Sequence, residues 1–143
     1  MKGIPMMTNV SMLKKWICTA AVFVVFVFLS GKPADAADLV SGSYTSFSGN
    51  SIVLSIDIQS PPPASLIIEQ YLPPGTEIVG SEPKLKKYNI KKGEAKWLLK
   101  DVRPGKMTVK LQLAGKIAKG DVRALLRCMD PATGKFVEKN VTP

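Results

Sequence analysis

The chain has 143 residues, with 20 basic and 11 acidic side chains, a formal net charge of +9 at pH 7 and no histidine. Without histidine there is no Ser–His or Cys–His nucleophile pair, no usual zinc ligand set and no C-x-x-C-H haem attachment motif. No cofactor or metal is expected and the chain is predicted not to be an enzyme, although a Ser–Lys dyad or a carboxylate pair formed on folding is left open.

The first predicted element is an export signal over residues 1–36. Met12-Leu13-Lys14-Lys15 is a short basic start, residues 16–29 are an apolar run, and residues 30–36 are small and polar and end in Ala34-Asp35-Ala36. This order is typical of a secretory signal peptide cleaved after Ala36, with Met12 as an alternative translation start. Because the apolar run is shorter than the roughly 20 residues of a membrane-spanning helix, an uncleaved N-terminal anchor is only the alternative. The protein is predicted to be exported to the periplasm, the cell surface or the medium.

Residues 37–143 are predicted to form one domain, because a chain of this length can bury a hydrophobic core without the help of disulfide bonds or metal ions. Removal of the signal also removes Cys18, so Cys128 is the one cysteine of the predicted mature chain. It is either a free buried thiol or a thiol that pairs between chains. Its phase with Val122, Ala124 and Leu126 favours burial.

The mature chain consists of short alternating segments separated by Pro and Gly, and it has no convincing helical periodicity. The clearest strand is Ser51–Gln59, in which Ile52, Leu54, Ile56 and Ile58 share one face. The predicted strands in chain order are Leu39–Phe47, Ser51–Gln59, Ser65–Leu72, Thr76–Gly80, Glu94–Val102, residues 107–113, Asp121–Met129 and Phe136–Val141. Seven or eight strands in about 100 residues predict an all-β, immunoglobulin-like antiparallel β-sandwich.

The second half gives two more specific expectations. Residues 84–92 are polar and basic, with Tyr88 and Ile90 as predicted core anchors. In the following strand, Trp97 and Leu99 are predicted to point into the core and Leu98 to point outward, because successive side chains alternate along a strand.

Two strings carry a resemblance to a known family. SIVLSIDIQSPPPASLIIEQYLPPGTEIVGSEP (residues 51–83) resembles the first half of the DUF11-like repeat domains of bacterial surface proteins, with its alternating strand and its Leu-Pro-x-Gly turn. GEAKWLLKDVRPGKMTVKLQL (residues 93–113) resembles the second half, with its Trp strand, Pro-Gly turn and long alternating strand. The resemblance covers Ser51–Val141 in a single copy. It implies an immunoglobulin-like sandwich in an adhesion, stalk or cell-envelope setting, without catalysis.

Charge is distributed unevenly along the mature chain. Residues 37–83 contain five acids and no Lys or Arg, whereas residues 84–143 contain sixteen Lys or Arg and five acids. This asymmetry indicates a partner that carries phosphate or carboxylate groups, or head-to-tail contact between copies. A lysine-rich soluble surface is the alternative interpretation.

The candidate site is a basic sheet face around the turn at residues 101–106. That turn is expected to bring its flanking strands together, as a hairpin or across the sandwich, so that their outward side chains line one face. The candidate residues are Lys96, Lys100, Lys106 and Lys110, with Arg103 at the edge. Few aromatic residues accompany them, so specific nucleic-acid binding is not expected. The alternative is a solvated outer face whose lysines discourage edge pairing.

Two functional hypotheses follow from these patterns. The first is a non-catalytic exported module that acts through protein–protein contacts in the envelope or outside the cell, as an assembly, adhesion or accessory subunit. The second is a binding module for an anionic envelope polymer or lipid, held by the lysine-rich face. High salt should weaken the second kind of contact steeply and spare the first. A third, an envelope hydrolase, would need a cleft that the strand pattern does not indicate.

Overall fold

This computed structural model describes Gly3 and residues 38–143, and the described part contains nine strands and one short 3-10 helix. The elements in chain order are β1 Val40–Phe47, β2 Ser51–Ile58, β3 Ser65–Tyr71, β4 Ile78–Glu82, β5 Lys87–Asn89, β6 Glu94–Lys100, β7 Gly105–Leu113, the 3-10 helix Lys119–Asp121, β8 Arg123–Met129 and β9 Phe136–Val141. The predicted export signal, apart from Gly3, lies outside the described residues. Residues 38–143 form a compact unit of their own.

The strands form two antiparallel sheets, with orders β1-β2-β7-β4 and β5-β6-β3-β8-β9. The predicted all-β, immunoglobulin-like antiparallel sandwich is thereby confirmed. β1, β2, β7 and β4 take the positions of strands A, B, E and D of the immunoglobulin fold, and β3, β8 and β9 those of C, F and G. β5 and β6 extend the second sheet beyond β3. β5 is one strand more than the sequence predicts, and it lies in the segment predicted only as polar and basic.

The apolar side chains that alternate along the strands meet between the two sheets. Ile52, Leu54, Ile56 and Ile58 of β2 are each at most 3% exposed, as their alternation predicts. The inward residues in and beside the later strands are each at most 4% exposed, and they are Val109, Leu111, Leu113, Val122, Ala124, Leu126 and Cys128. Full burial of a large aliphatic side chain stabilises a fold by about 1.5–3 kcal/mol. The alternation therefore decides which face of each strand turns inward.

Trp97 lies in this core with 1% of its surface exposed, which confirms its predicted position. Its indole N–H points at two oxygens, the Pro83 carbonyl at 2.9 Å and the Ser81 hydroxyl at 3.2 Å. Ser81 belongs to β4 and Trp97 to β6, so the indole links the two sheets. A buried indole N–H keeps a hydrogen-bond partner in this way.

A polar pair forms a second link between the sheets. The Tyr44 hydroxyl of β1 donates to Gln70 Oε1 of β3 at 2.9 Å, and Gln70 Nε2 donates to the Arg123 carbonyl at 2.9 Å. Gln70 is 1% exposed, and its burial is tolerated because both ends of its amide are hydrogen-bonded. Burial raises the pKa of Tyr44 to about 12, so the phenol remains a proton donor at neutral pH.

β1 of the first sheet lies beside β9 of the second. The Lys139 ammonium contacts the Asp38 carboxylate just before β1. Further along, Gly42 packs so closely that a Cβ there would lie 2.9 Å from Val141 Cγ2. From Asp38 to Gly42 the partner moves from Lys139 to Val141, so residue numbers increase in the same direction along both segments. The first and last strands therefore run parallel where they meet.

The segment around β5 is anchored differently from the prediction. Tyr88 is half-buried against the core as expected, but Ile90 is 46% exposed. Ile90 lies in the turn between β5 and β6, where its carbonyl accepts hydrogen bonds from Gly75 at 2.7 Å and Gly93 at 3.3 Å. Leu85 packs against the core instead of Ile90.

Cys128 is 4% exposed, which confirms its predicted burial. Burial raises the pKa of its thiol, and the negative charge of Asp130 adds to the effect. Because the thiolate is the reactive form, this thiol is a slow partner for a disulfide with another chain.

The turn that leads into β6 depends on Gly93, which has a φ of +66°. Its carbonyl accepts a hydrogen bond from the Leu72 amide at 2.8 Å, and a Cβ here would lie 2.0 Å from the Leu72 carbonyl oxygen. Only glycine fits without movement of the backbone. Gly75 also has a positive φ, of +83°, but a Cβ there would meet no atom within 4 Å.

We expect Gly93→Ala to lower the free energy of unfolding by about 3 kcal/mol or more, because left-handed strain and a backbone collision act together. Gly75→Ala is the matched control and should cost about 1–2 kcal/mol, for the left-handed conformation alone. Urea denaturation followed by tryptophan fluorescence measures both losses. Equal losses in the two variants would contradict the close approach of Leu72 to Gly93.

Candidate functional site

The five predicted basic residues do not share one face. Lys96 and Lys100 lie on β6 of the five-stranded sheet, whereas Lys106 and Lys110 lie on β7 of the four-stranded sheet. The connection that contains Arg103 crosses from one sheet to the other. The two pairs of lysines therefore lie on opposite outer faces of the sandwich, and the prediction of a single basic face is wrong.

Two of these lysines already have carboxylate partners. Lys96 Nζ lies 2.6 Å from Glu69 Oε1, and Lys110 Nζ lies 3.5 Å from Glu82 Oε2. The other two lysines and the arginine take part in no ion pair within the part of the chain that the structure describes. The positive charge of Lys96 is thus already neutralised by a carboxylate of the same protein.

Glu69 is the centre of a charged cluster on the outer face of the five-stranded sheet. It is 4% exposed and lies on β3, directly opposite Lys96 of β6. The Tyr71 hydroxyl donates to Glu69 Oε2 at 2.8 Å, and one terminal nitrogen of Arg127 on β8 lies 3.7 Å from Glu69 Oε1. We call Glu69, Tyr71, Lys96 and Arg127 the Glu69 cluster. It spans three adjacent strands.

The electrostatics of the cluster keep Glu69 ionised. Burial by itself raises the pKa of this carboxyl group, but the hydrogen bonds from Lys96 and Tyr71 and the positive charges of Lys96 and Arg127 outweigh it, so the pKa is lowered. In return, the hydrogen bond to Glu69 raises the pKa of Lys96. Burial raises the pKa of Tyr71, and its hydrogen bond to Glu69 adds to the rise. A carboxylate held in this way acts as a fixed charge and not as a proton carrier.

Large apolar side chains lie beside the cluster on the same sheet face. Leu98, Met129 and Phe136 are 41%, 48% and 66% exposed. Half-buried Ile67 lies directly opposite Leu98, and Met129 lies directly opposite Phe136. Together with half-buried Leu125, which lies opposite Glu69, these residues form what we call the outer-face patch.

The sequence places Ile67, Leu98 and Leu125 outward because each is the middle residue of a run of three apolar residues in its strand. Successive side chains point to opposite faces, so the middle residue of an inward–outward–inward triplet faces out. The triplets are Leu66-Ile67-Ile68 in β3, Trp97-Leu98-Leu99 in β6 and Ala124-Leu125-Leu126 in β8. Sequence reasoning identified the outward position of Leu98. It missed the patch because it does not reveal that β6, β3 and β8 are neighbours.

An open groove of about 610 Å³ lies where β3 ends and β8 begins. The Arg123 guanidinium stacks 4.7 Å from the centre of the Tyr71 ring, and both residues line the groove. Lys92 and Asp121 also line it, so its charges are mixed. This lining favours no single class of ligand.

Within the described residues, no three His, Cys, Asp or Glu side chains are grouped so that they could hold a metal ion. A search of the same residues for a helix long and apolar enough to cross a membrane also finds none.

Comparison with protein-family models, curated proteins and solved structures gives no significant match. The resemblance to DUF11-like domains therefore depends on the two strings quoted above and stays a prediction.

We expect Glu69→Gln to destabilise the protein by about 1–3 kcal/mol at pH 7, because it removes a buried charge that three neighbours hold in place. The folded pKa of Glu69 is lowered, so its stabilising effect is present above the ordinary value of 4.5 and is lost as the pH falls through the folded pKa. The difference between wild type and variant should therefore shrink as the pH falls below the ordinary value of 4.5. Urea denaturation at a series of pH values measures it.

Glu82→Gln is the control for this experiment. It removes the exposed ion pair with Lys110, and such surface pairs contribute little to stability. We expect little change at any pH. A loss in Glu69→Gln that does not vary with pH would show that the ionised carboxylate is not what stabilises the cluster.

Proposed function

We propose that the chain is an exported, non-catalytic immunoglobulin-like module that acts through protein–protein contacts in the cell envelope or outside the cell. Its contact surface would be the outer-face patch of the five-stranded sheet. The observation that carries the proposal is the exposure of Leu98, Met129 and Phe136 on one sheet face. An assembly, adhesion or accessory subunit would use such a surface.

The composition of the patch supports a protein partner. The solvated face of an antiparallel sheet usually carries polar residues, and grouped apolar side chains on it mark interaction sites. Methionine, aromatic residues and arginine are enriched in protein interfaces. Met129, Phe136 and Arg127 lie close together on β8 and β9.

The Glu69 cluster lowers the cost of burying this sheet face under a protein partner. Burial of an unpaired charge is costly, so a partner that lies over an unpaired carboxylate has to supply a counter-charge. Glu69 already has Lys96 at 2.6 Å and a hydrogen bond from Tyr71. A partner can therefore lie over this part of the sheet with an apolar surface.

Export is proposed from the order of basic, apolar and small residues in residues 12–36, and the DUF11-like resemblance supports an envelope setting. We expect protein recovered from the envelope or the medium to begin at Ala37 when its N-terminus is sequenced. Replacement of Ala34 and Ala36 by Lys removes the small residues that the cleavage site needs, and the signal should then be retained. Wild-type protein that keeps residues 12–36 in the membrane would support the anchor alternative, and recovery from the cytoplasm alone would contradict export.

We expect the double variant Leu98→Ser with Phe136→Ser to lose a protein partner that wild type captures from an envelope extract at high salt. Loss of two exposed apolar contacts of the patch should lower capture by about tenfold or more. The matched control is Val79→Ser with Ile90→Ser, because these residues are 60% and 46% exposed but lie outside the patch. Quantitative mass spectrometry of the captured proteins gives the readout.

All three proteins should first show the same thermal unfolding temperature, so that any difference in capture reflects the surface and not the fold. A partner kept by wild type and control but lost by the patch variant supports the proposal. Identical capture by all three proteins, or capture of no protein by wild type, would refute the patch as the contact surface.

A further inference from the structure

The free edge of the five-stranded sheet carries a dense group of positive charges. Five of the nine residues in the segment 84–92 are lysines, and none of the nine is acidic. All five lysine side chains are exposed. We call them the lysine edge, and they are Lys84, Lys86, Lys87, Lys91 and Lys92.

These lysines differ from several others in having no carboxylate partner. Lys96, Lys110 and Lys139 each form an ion pair with a nearby acid. In the described range, no member of the lysine edge takes part in one. Their charges are therefore available to a ligand.

The backbone that presents the lysine edge is fixed at both ends. On one side, the Pro83 carbonyl accepts the hydrogen bond of the buried Trp97 indole at 2.9 Å. On the other, the Gly93 carbonyl accepts from the Leu72 amide at 2.8 Å. Between them, the Tyr88 hydroxyl donates to the Thr76 carbonyl. A ligand would meet charges on an ordered backbone, which lowers the entropy lost on binding.

Protection of the sheet edge explains only part of this charge. Lysines on an edge strand discourage pairing with another chain. Only Lys87 lies within β5, however, and Lys91 and Lys92 lie in the turn that follows it. Lys87 also lies directly opposite Lys96, an arrangement of like charges that is unfavourable unless something neutralises it. Glu69 neutralises the charge of Lys96. The lysines of the lysine edge have no such partner in the described range, so they continue to repel one another.

A recess of about 160 Å³ lies beside this edge, lined by Lys87, Asn89, Lys92, Glu94 and Lys96. The Glu94 carboxylate lies 3.8 Å from Lys96 Nζ, so the one acid in the recess faces the lysine that is already paired. Lys87 and Lys92 remain for an anionic group, and the Asn89 side chain adds polar atoms. The recess has the size for a single such group of a longer chain.

The type of residue indicates the class of ligand. Lysine ammonium groups act as point charges and do not read the shape of an anion as the arginine fork does. The edge contains no arginine, and Tyr88 is turned inward against the core. Stacking on bases is thus not available from this segment.

We propose that the lysine edge binds a linear polymer with a negative charge on each repeat. The site is separate from the outer-face patch, and neither proposal depends on the other. It also replaces the predicted basic face, whose lysines the fold divides between two sheets.

The test measures binding of long-chain inorganic polyphosphate and of polyglutamate to the full chain by fluorescence anisotropy across a salt series. The edge variant carries Lys→Gln at all five edge positions. The control variant carries Lys→Gln at five other exposed lysines without an ion pair in the described range, so both variants have the same net charge. These positions are Lys100, Lys106, Lys116, Lys119 and Lys135.

We expect the edge variant to bind about 30-fold or more weakly at low salt and the control to stay within about threefold of wild type, because each lost anion contact also removes released counterions. The slope of log affinity against log salt should fall by about three in the edge variant. Selective loss in the edge variant supports the site, and the polymer bound more tightly identifies the anionic group. Equal losses in both variants would show attraction by net charge alone and would overturn the proposal, as would absence of binding by wild type.

Discussion

Burial of apolar side chains between two sheets is the constraint on which the rest of this structure depends. A strand has two faces, and only one of them can turn toward the core. Where a strand carries strictly alternating residues, as β7 does, this leaves a polar outer face. Where it carries three apolar residues in a row, as β3 and β6 do, the middle one is forced outward. The outward positions of Ile67, Leu98 and Leu125 in the outer-face patch therefore follow directly from how the core is filled.

The five-stranded sheet handles its charges and its apolar residues in different ways. Glu69 and its partners satisfy one another within the sheet, whereas Leu98 and Phe136 remain open to solvent. The lysine edge shows the opposite arrangement, with charges that no neighbour in the described range satisfies. Two surfaces on one small domain thus differ in chemistry, one suited to apolar contact and one to a polyanion. Ionic strength affects them unequally, because salt screens exposed charges and leaves apolar contact in place.

Local patterns predicted the inward faces of β2, β7 and β8, the burial of Trp97 and Cys128 and the sandwich itself, because a period of two is visible within one strand. The basic face failed because it required knowledge of which strands are neighbours. A turn around Arg103 fits a hairpin and a crossing between sheets equally well, and only the packing of the whole core selects the crossing. The Glu69 cluster was not foreseen for the same reason, since its members lie on three strands that are distant in sequence. The prediction of Ile90 as an anchor was wrong because Ile90 lies in a turn whose geometry depends on hydrogen bonds from Gly75 and Gly93, and the local pattern does not show those contacts.

The parallel contact of β1 and β9 has a mechanical consequence. Asp38 meets Lys139 and Gly42 meets Val141, so the chain enters β1 and leaves β9 at opposite ends of this pair of strands. A pulling force between the two ends acts along the strands and loads the bonds between β1 and β2 in shear. Bonds loaded in shear share the force and break together, whereas bonds that are peeled break one after another. The fold is thus built to resist tension along its own length.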